Sequence, residues 1–460
     1  MISLTLGELC RVLQGELLQG DPNIKVQGVS TDSRQIKSGE VFFALKGERF
    51  DGHDFVREAL AKGAIAAIVA RKIEGMPQGG LIIVPDTLKA LQDLALYHRR
   101  TAFKGELIGI TGSSGKTTTK NLVARVLEAK FKVLKTPGNF NNEIGLPLTL
   151  LNLKPEHQVV VVEMGMRGRG EIASLCQVAQ PTVGVITNIG TAHLGRLGSV
   201  ENIALAKREL LESLPPGGWA VLNGDDPWCR RLAEGLPVRP VFYGFEDSAT
   251  FQARDIRMKG LEGIEFVVRF PEGETKVRLP VPGKHNVLNS LAALTLGYFL
   301  GVEIDSMVEK LLEWPAESMR QEILPGPQGS LIYNDAYNAN PESTLAALDV
   351  LKELPGRRIA VLGDMLELGE KGPELHQKVG RRAAEVGLSM LVTVGELARE
   401  IATGALDSGM SNTRVFSFLH PREAGQFLAR HLQPGDVVLL KGSRAARLEQ
   451  VLEELQEVKR

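Results

Sequence analysis

A glycine-rich segment at positions 112–118 contains the residue types that bind a phosphate group. It consists of Gly112, Ser113, Ser114, Gly115, Lys116, Thr117 and Thr118. In such a loop the glycines let backbone N–H groups turn towards phosphate oxygens, a lysine reaches the transferred phosphate, and a threonine hydroxyl binds Mg²⁺. Ile110 stands where the longer form of this motif has its first glycine, so the inference rests on the shorter GxxGKTT form. The alternative is an ordinary connection between a strand and a helix.

Three other side chains have the chemistry to complete a metal site near this loop. Glu163 ends the apolar run at 159–162, and the carboxyl ends of parallel strands face the ligand crevice of an open α/β sheet. Its carboxylate could share a Mg²⁺ ion with Thr117 and the nucleotide phosphates. His193 follows another apolar run, and Lys207 lies in a helical stretch. Taken alone, Glu163 is equally well explained as a helix cap or surface charge. His193 by itself could be a hydrogen-bonding loop residue, and Lys207 a solvated lysine.

The elements predicted around the loop have the order that phosphate binding requires. Apolar residues at 106–111 predict a buried strand before the turn, and the pattern at 117–129 predicts a helix after it. Further apolar runs at 159–164 and 183–189 alternate with helical patterns, which is typical of a parallel sheet covered on both faces. This context favours nucleotide binding over a simple connection.

The length of the chain, 460 residues, favours three domains. We predict an α/β protein with a small α/β N-terminal domain at 1–104, a central P-loop domain with a mostly parallel sheet at 105–314, and a C-terminal Rossmann-like domain at 315–460. The stretch 312–329 has three prolines and weak periodicity, which predicts a linker. A final helix is predicted at 444–458, with apolar residues at helical spacing.

Composition and charge limit the classes of partner and location. The formal net charge is -1, with 54 basic and 55 acidic residues, so the chain lacks the positive surface that binds nucleic acid. Three separate cysteines form no disulfide or zinc pattern, which favours a reducing cytoplasm. The N-terminus is a poor signal peptide, and no stretch of 18 apolar residues occurs, so we expect no membrane insertion.

A series of motifs along the chain resembles the Mur ligases. The series comprises GSSGKTT at 112–118, NFNNEIGLP at 139–147, EMGMRGRGEI at 163–172, TNIGTAHL at 187–194, AKREL at 206–210, GKHNVLN at 283–289, NDAYNANP at 334–341 and GDMLELG at 363–369. It spans essentially the whole sequence. The resemblance implies an ATP-dependent amide ligase of peptidoglycan precursor synthesis that proceeds through an acyl phosphate and releases ADP and phosphate.

The member of the family is indicated by narrower features. The DNPR tetrapeptide typical of the ligase for the third peptide residue does not occur, and three motifs resemble those of the dipeptide-adding type. That type joins D-alanyl-D-alanine to UDP-N-acetylmuramoyl-tripeptide. The alternative is another Mur ligase or a folylpolyglutamate-type enzyme with a different amino-acid donor. The latter would not explain the segments STDSR at 30–34 and DGH at 51–53, which resemble a UDP-sugar-binding domain, although turn chemistry also accounts for them.

The resemblance also implies roles for individual residues. Lys207 matches a lysine that is often carbamylated and that, with His193, would hold a second Mg²⁺ ion. Asn289 would contact adenine, Arg320 the γ-phosphate and Asp335 the ribose. Residues expected to line the nucleotide or substrate sites are Asn338, Tyr337, Asn340, Asn141, Asn142, Ser30, Asp32, Ser33 and Arg34. A monomer is expected, and the identity of the third peptide residue, diaminopimelate or lysine, is left open.

Overall fold

Three large β-sheets follow one another along the chain, and each has helices packed against it. The computed structural model describes residues 4–73, 75, 79–314 and 317–457. Among the helices of these ranges, none is long and apolar enough to cross a membrane. The predicted α/β class with mostly parallel sheets is confirmed.

The first sheet has five strands in the order β2-β7-β6-β5-β4, and β1 pairs separately with β3. The strands are β1 (Leu4–Thr5), β2 (Glu16–Gln19), β3 (Lys25–Val26), β4 (Gly28–Ser30), β5 (Glu40–Phe43), β6 (Ala66–Val69) and β7 (Gly80–Ile83). The helices are α1 (Leu6–Val12), α2 (Val56–Ala61) and α3 (Thr87–Ala102). Asp86 caps α3 by accepting hydrogen bonds from the N–H groups of Leu88 and Lys89.

The second sheet has nine strands in the order β16-β15-β14-β13-β12-β11-β8-β10-β9. They are β8 (Glu106–Thr111), β9 (Val133–Lys135), β10 (Val159–Glu163), β11 (Val183–Ile186), β12 (Trp219–Asn223), β13 (Arg239–Gly244), β14 (Phe251–Met258), β15 (Ile264–Phe270) and β16 (Gly273–Leu279). Neighbours from β14 to β9 are parallel, whereas β14, β15 and β16 are antiparallel. The carboxyl ends of β8, β10 and β11 therefore meet at one edge of the sheet, as ligand binding in this fold requires.

Eight helices accompany this sheet. They are α4 (Lys116–Leu127), α5 (Gly145–Leu150), α6 (Glu171–Ala179), α7 (Leu194–Leu197), α8 (Val200–Glu212), α9 (Pro227–Leu232), α10 (Lys284–Phe299) and α11 (Ile304–Leu312). Helices α4 and α10 pack against each other on one face, and they bury Leu122, Val126, Leu291 and Leu294 completely. Burial of such side chains contributes roughly 1.5–3 kcal/mol each, so this packing holds the start of α4 firmly against the sheet.

The third sheet has six strands in the order β17-β18-β22-β19-β20-β21, and all neighbours are parallel except β17 and β18. The strands are β17 (Glu322–Pro325), β18 (Leu331–Asn334), β19 (Arg357–Gly363), β20 (Met390–Val394), β21 (Val415–Phe418) and β22 (Asp436–Lys441). The helices are α12 (Pro341–Glu353), α13 (Gly372–Glu385), α14 (Arg399–Asp407), α15 (Pro421–His431) and α16 (Glu449–Glu457).

Two element predictions are wrong. The linker expected at 312–329 contains β17, which pairs antiparallel with β18 and extends the third sheet. The last helix begins at Glu449 and not at Arg444, because Arg447 has a φ of 49° and separates a 3₁₀ turn from the helix. Val458, the last residue of the predicted helix, lies outside the described residues.

Candidate active site

Each of the three large sheets and its helices belongs to one segment of the chain, and we call these the first, second and third segments in chain order. A cleft of about 1320 Å³ is lined by residues from all three segments. Its centre is the glycine-rich loop between β8 and α4. Gly115 has a φ of 75°, and a Cβ atom on Gly112 would lie 1.8 Å from Oγ1 of Thr187. Glycine is required at both positions. Gly115 adopts the left-handed conformation that glycine favours, and Gly112 has no space for a side chain.

The segment after β11 holds the loop in place. The N–H groups of Ser113 and Ser114 donate to the carbonyl and the side-chain oxygen of Asn188, each at 3.0 Å. The N–H group of Gly190 in turn donates to Oγ of Ser113 at 2.8 Å. Two neighbouring strand ends thus fix the conformation of the loop before any ligand is present, which reduces the entropy cost of binding phosphate.

Lys116 folds back over its own loop. Its Nζ atom donates to the carbonyl oxygen of Gly112 at 2.7 Å. Burial lowers the pKa of Lys116, and the nearby carboxylate of Glu163 opposes that shift. Thr117, the next residue, is buried at the start of α4. The ammonium group and the hydroxyl therefore stand at the helix N-terminus, where an anion is favoured.

Glu163 has one carboxylate oxygen without a hydrogen-bond partner. Its Oε1 atom accepts a hydrogen bond of 2.8 Å from Asn141, whereas Oε2 is buried and forms none. Lys120 lies 3.8 Å from that oxygen. A buried carboxylate oxygen with an unused lone pair at this strand end fits a hard cation such as Mg²⁺.

Thr117 and Glu163 fit the few protein ligands that Mg²⁺ uses beside phosphates and waters. Within the described ranges, no three His, Cys, Asp or Glu side chains are close enough to form a metal site by themselves. The residues present therefore suit a metal that binds together with a nucleotide.

Lys207 on α8 is 2% exposed, and no hydrogen bond or ion pair satisfies its amine among the described residues. Burial, followed by the charge of Lys116, lowers the pKa of Lys207 well below its usual range. A neutral amine in this position is a nucleophile that can react with CO₂. Lys207 is not one of the residues that line the cleft.

His193 lines the cleft and directly precedes α7 as its N-cap residue, with a φ of 65°. Its Nδ1 atom lies 2.5 Å from Oε2 of Glu367, although the angle is outside that of an aligned hydrogen bond. Contact with His193 lowers the pKa of the Glu367 carboxyl, and burial opposes this shift. His193 belongs to the second segment and Glu367 to the third, so the two side chains meet across the domain boundary.

Residues predicted for the nucleotide lie on the opposite wall of the cleft. The guanidinium of Arg320 lies 3.9 Å from the centre of the Tyr337 ring, and Glu317 pairs with it at 3.2 Å. The carboxylate of Asp335 is held by Lys441 at 2.5 Å. This contact occupies Lys441, which also donates to the backbone carbonyls of Asp335 and Asn338.

Asn289 lies beneath the phosphate loop. Its Oδ1 atom accepts a hydrogen bond from Oγ1 of Thr119 at 3.2 Å, and a Cβ atom on Gly115 would be 2.8 Å from it. Asn338 and Asn340 line the same cleft. Asn340 caps α12 and donates to the carbonyl of Ser113 at 3.3 Å, which joins the third segment directly to the loop.

The asparagines after β9 border the cleft from another side. Besides the contact of its side chain with Glu163, Asn141 accepts a hydrogen bond of 2.9 Å from the N–H group of Gly165 at its backbone carbonyl oxygen. Oδ1 of Asn142 accepts a hydrogen bond of 2.9 Å from the N–H group of Gly145, the first residue of α5. Both residues line the cleft, with Glu143 next to them.

The predicted N-terminal site residues form a turn outside this cleft. Ser30 and Asp32 exchange hydrogen bonds, Ser33 contacts Glu58, and both side-chain oxygens of Asp32 accept from Arg34. The hydrogen bonds from Arg34 lower the pKa of Asp32 to about 2. The N-terminal residues that line the cleft are Glu48 and Gln92.

Sequence reasoning missed four residues near the site. Lys120 follows Lys116 by one helical turn, a spacing that could have indicated a shared face. Gln321 donates to His285 at 2.9 Å, while Glu342 and Glu367 reach the segment after β11. Nothing in the sequence signals these last contacts, because their partners lie far away along the chain.

Three family models match the chain in succession. They are described as the catalytic domain of the Mur ligase family at residues 25–99, the Mur ligase middle domain at 110–297, and the Mur ligase glutamate ligase domain at 319–444. Together they account for most of the 460 residues.

Individual relatives match over nearly their full length. A protein of Synechocystis named UDP-N-acetylmuramoyl-tripeptide--D-alanyl-D-alanine ligase is 40% identical, over 94% of this chain and 92% of its own. The crystal structure of MurF from Acinetobacter baumannii has a TM-score of 0.92 and 34% identity, and covers 99% of both chains. The MurF ligase of Thermotoga maritima in complex with ADP has a TM-score of 0.83 and 33% identity, and the match covers 94% of this chain and 98% of that one.

Proposed function

The chain belongs to the Mur ligase family, and from this premise we propose that it joins D-alanyl-D-alanine to UDP-N-acetylmuramoyl-tripeptide in peptidoglycan precursor synthesis, with conversion of ATP to ADP and phosphate. The observation that carries the proposal is the single cleft in which the phosphate loop, Arg320 and N-terminal residues converge. The alternative of another amino-acid donor is not favoured, because relatives over nearly the whole chain carry the dipeptide-ligase name.

The nucleotide occupies the part of the cleft between the second and third segments in this proposal. Gly112 to Thr118 bind the phosphates through backbone N–H groups, and Lys116 exchanges its bond to Gly112 for one to the transferred phosphate. Arg320, held flat against Tyr337, contacts the γ-phosphate from the other wall. Asp335 and Asn338 contact the ribose side, and Asn289 supports the adenine end.

The reaction proceeds in two displacements. A carboxylate oxygen of the tripeptide attacks the γ-phosphorus of ATP, the bond to the bridging oxygen breaks, and ADP leaves an acyl phosphate behind. The amine of the dipeptide then attacks the acyl carbon, its nitrogen releases a proton to water, and the tetrahedral adduct expels inorganic phosphate. Both steps bring anions together, so catalysis consists of charge neutralisation and alignment by Lys116 and Arg320. No protein nucleophile takes part.

Thr117 and Glu163 would hold a Mg²⁺ ion, and His193 with a carbamylated Lys207 would hold a second. Bound there, Mg²⁺ supplies positive charge to the phosphate oxygens. Carbamylation converts the buried amine of Lys207 into an oxygen donor with negative charge. The unpaired environment of Lys207 supports this modification, because burial favours the neutral amine that must attack CO₂.

The sugar-linked tripeptide enters from the side of the first segment. Residues 1–104, 105–314 and 315–460 act as the UDP-sugar-binding, ATP-binding and closing domains, respectively. Ser30, Asp32, Ser33 and Arg34 contact the UDP-sugar, while Asn141, Asn142, Tyr337 and Asn340 face the peptide or dipeptide. A monomer in the cytoplasm fits these substrates.

Phosphate release separates the proposed reaction from its alternatives. The assay supplies MgATP with each UDP-muramoyl peptide in turn, with and without D-alanyl-D-alanine. We expect sustained release only with the tripeptide and the dipeptide together, and a product whose mass equals their sum less water. Equal release without a muramoyl peptide, or a preference for a single amino acid as donor, would contradict the proposal.

A further inference from the structure

We propose that Glu367 is a positioning residue that orients the imidazole of His193 across the domain boundary, so that the metal-binding nitrogen of His193 faces the cleft. The inference rests on the proposed function, in which His193 binds metal. Glu367 itself lies in the segment after β19, far from His193 in sequence, and touches neither nucleotide nor peptide in this scheme.

The backbone geometry of both residues is unusual. His193 and Glu367 each have a φ of 65°, in the left-handed region that residues with a Cβ atom adopt rarely. Such conformations cost of order 1–3 kcal/mol and persist where surrounding contacts require them. Here the two side chains face each other, with Nδ1 of His193 2.5 Å from Oε2 of Glu367. Two strained residues that meet across a boundary indicate a contact that function maintains.

The backbones behind the two side chains are in direct contact. The N–H group of Gly195 donates to the carbonyl oxygen of Glu367 at 2.9 Å. A Cβ atom on Gly195 would lie 2.5 Å from the nitrogen of Gly369, and one on Gly369 would lie 2.6 Å from Cα of Gly195. No side chain fits between these glycines, so the two segments meet at a fixed distance that places Glu367 against His193.

A second contact, between Glu342 of the third segment and Thr191, holds the residues that precede His193. Oε1 of Glu342 accepts hydrogen bonds of 2.9 Å from both the N–H group and the hydroxyl of Thr191. Glu342 also fills the space beside Gly190, where a Cβ atom would lie 2.7 Å from its carboxyl carbon. The residues before and after His193 are therefore both seated on the third segment, whereas Glu367 is the residue whose side chain lies against the imidazole itself.

The chemistry of imidazole gives this contact its consequence. A carboxylate beside Nδ1 favours the proton on that nitrogen, so the lone pair resides on Nε2. That lone pair is the one available for a metal in the cleft. Removal of such a carboxylate partner typically weakens metal affinity 10–100-fold. Because Glu367 belongs to the third segment, the orientation of His193 also depends on how that segment packs against the second one.

The test measures Mn²⁺ binding by the full chain in the presence of ADP, with electron paramagnetic resonance. We expect Glu367→Ala to weaken Mn²⁺ binding by about 10–100-fold, and Glu367→Asp to recover part of this loss. Glu370→Gln, an exposed carboxylate in the same segment, is the matched control and should bind like the wild type. His193→Ala should weaken binding at least as much as Glu367→Ala.

A merely structural role for Glu367 predicts a different pattern. Glu342 lies at the same boundary, but its hydrogen bonds go to Thr191 and not to His193. We therefore expect Glu342→Ala to loosen the boundary and to leave the affinity for Mn²⁺ within about threefold of the wild-type value. If Glu342→Ala weakens binding as much as Glu367→Ala, or if Glu367→Ala or His193→Ala leaves it unchanged, the proposal is overturned. Turnover of the tripeptide by the wild type tests the proposed function separately. A failure of the proposed function can therefore be distinguished from a failure of the positioning role of Glu367.

Discussion

The Nζ atom of Lys120 lies 3.8 Å from Oε2 of Glu163, and the two side chains are only 1% and 2% exposed. Lys120 also donates to the carbonyl of Gly138 at 3.0 Å, which anchors the loop that carries Asn141. A buried ammonium therefore compensates the carboxylate that faces the phosphate loop. This arrangement ties the helix after the loop, the end of β10 and the loop after β9 into one unit.

Loss of one member of this pair should destabilise the protein strongly. Lys120→Met leaves the carboxylate of Glu163 buried without its nearest counter-charge, and such a loss costs about 3–5 kcal/mol. Urea unfolding followed by circular dichroism measures the effect, and Lys120→Met/Glu163→Gln should recover part of it. Lys310→Met, in the exposed pair with Glu313, should change stability by less than about 1 kcal/mol. A similar small change for Lys120→Met would show that the buried pair is not coupled.

Lys116→Met should abolish most turnover while the fold is retained. The side chain is the cation of the phosphate loop, and removal of one such group typically costs about 10²–10³-fold in rate. Phosphate release in the complete assay is the measurement, with circular dichroism as the check on folding. Lys378→Met, at an exposed position of α13, is the control. Undiminished turnover of Lys116→Met would remove the residue from the reaction.

Lys207→Ala should lose most activity and regain part of it with added short carboxylates. A carboxylate can occupy the space of the carbamate and supply the missing oxygen donor. We expect a loss of at least about 10²-fold, as for other groups that neutralise charge in the transition state. Lys207→Met fills the same volume and should not be rescued, since it leaves no space. Full activity of Lys207→Ala without additives would count against the modification.

Tyr337→Leu should raise the KM for ATP more than it lowers kcat. The ring supports the guanidinium of Arg320 at 3.9 Å, and such contacts contribute about 0.5–2 kcal/mol, which corresponds to roughly 2–30-fold. Arg320→Ala should lower kcat as well, because the charge itself is lost. Steady-state kinetics with varied ATP distinguishes the two effects. Tyr97→Leu, on α3, should behave as the wild type, and an equal response of both tyrosine variants would refute the stacking role.

His376 should contribute to the loss of stability in mild acid. Its Nε2 atom accepts the N–H group of Met365 at 3.0 Å, and its Nδ1 atom donates to the carbonyl of Gly372 at 2.7 Å. Burial lowers the pKa of His376 below its usual value of about 6.5. The unfolded chain therefore takes up a proton as the pH falls through about 6.5, and the free energy of unfolding decreases there by up to about 1.4 kcal/mol per pH unit.

His376→Gln retains a donor and an acceptor but does not titrate, so its stability should depend less on pH. Urea unfolding of both proteins at several pH values between about 7.5 and 5.5 gives the two slopes. Other buried histidines, such as His98 and His285, contribute equally to both proteins and cancel in the comparison. Parallel slopes would mean that His376 does not titrate differently in the folded state.

The position of the glycine-rich loop between a strand and a helix was predicted correctly, because the signals for both elements are local. Gly112 to Gly115 lie between β8 and α4, and Lys116 to Thr118 form the first turn of α4, as the apolar run and the helical pattern predict. The family and the α/β class were confirmed as well. Strands β14 and β16 carried no such signal, because charged residues occupy many of their positions and one side of each is exposed.

The sequence alone therefore determined the class of chemistry, through residues whose partners are their own neighbours in the chain. Only the tertiary structure decided that Lys120 compensates Glu163, that Lys441 is occupied by Asp335, and that Glu367 meets His193. The physical reason is that these pairs join residues from separate strands or domains. Their distances depend on how sheets and helices pack, which no local spacing of residue types specifies.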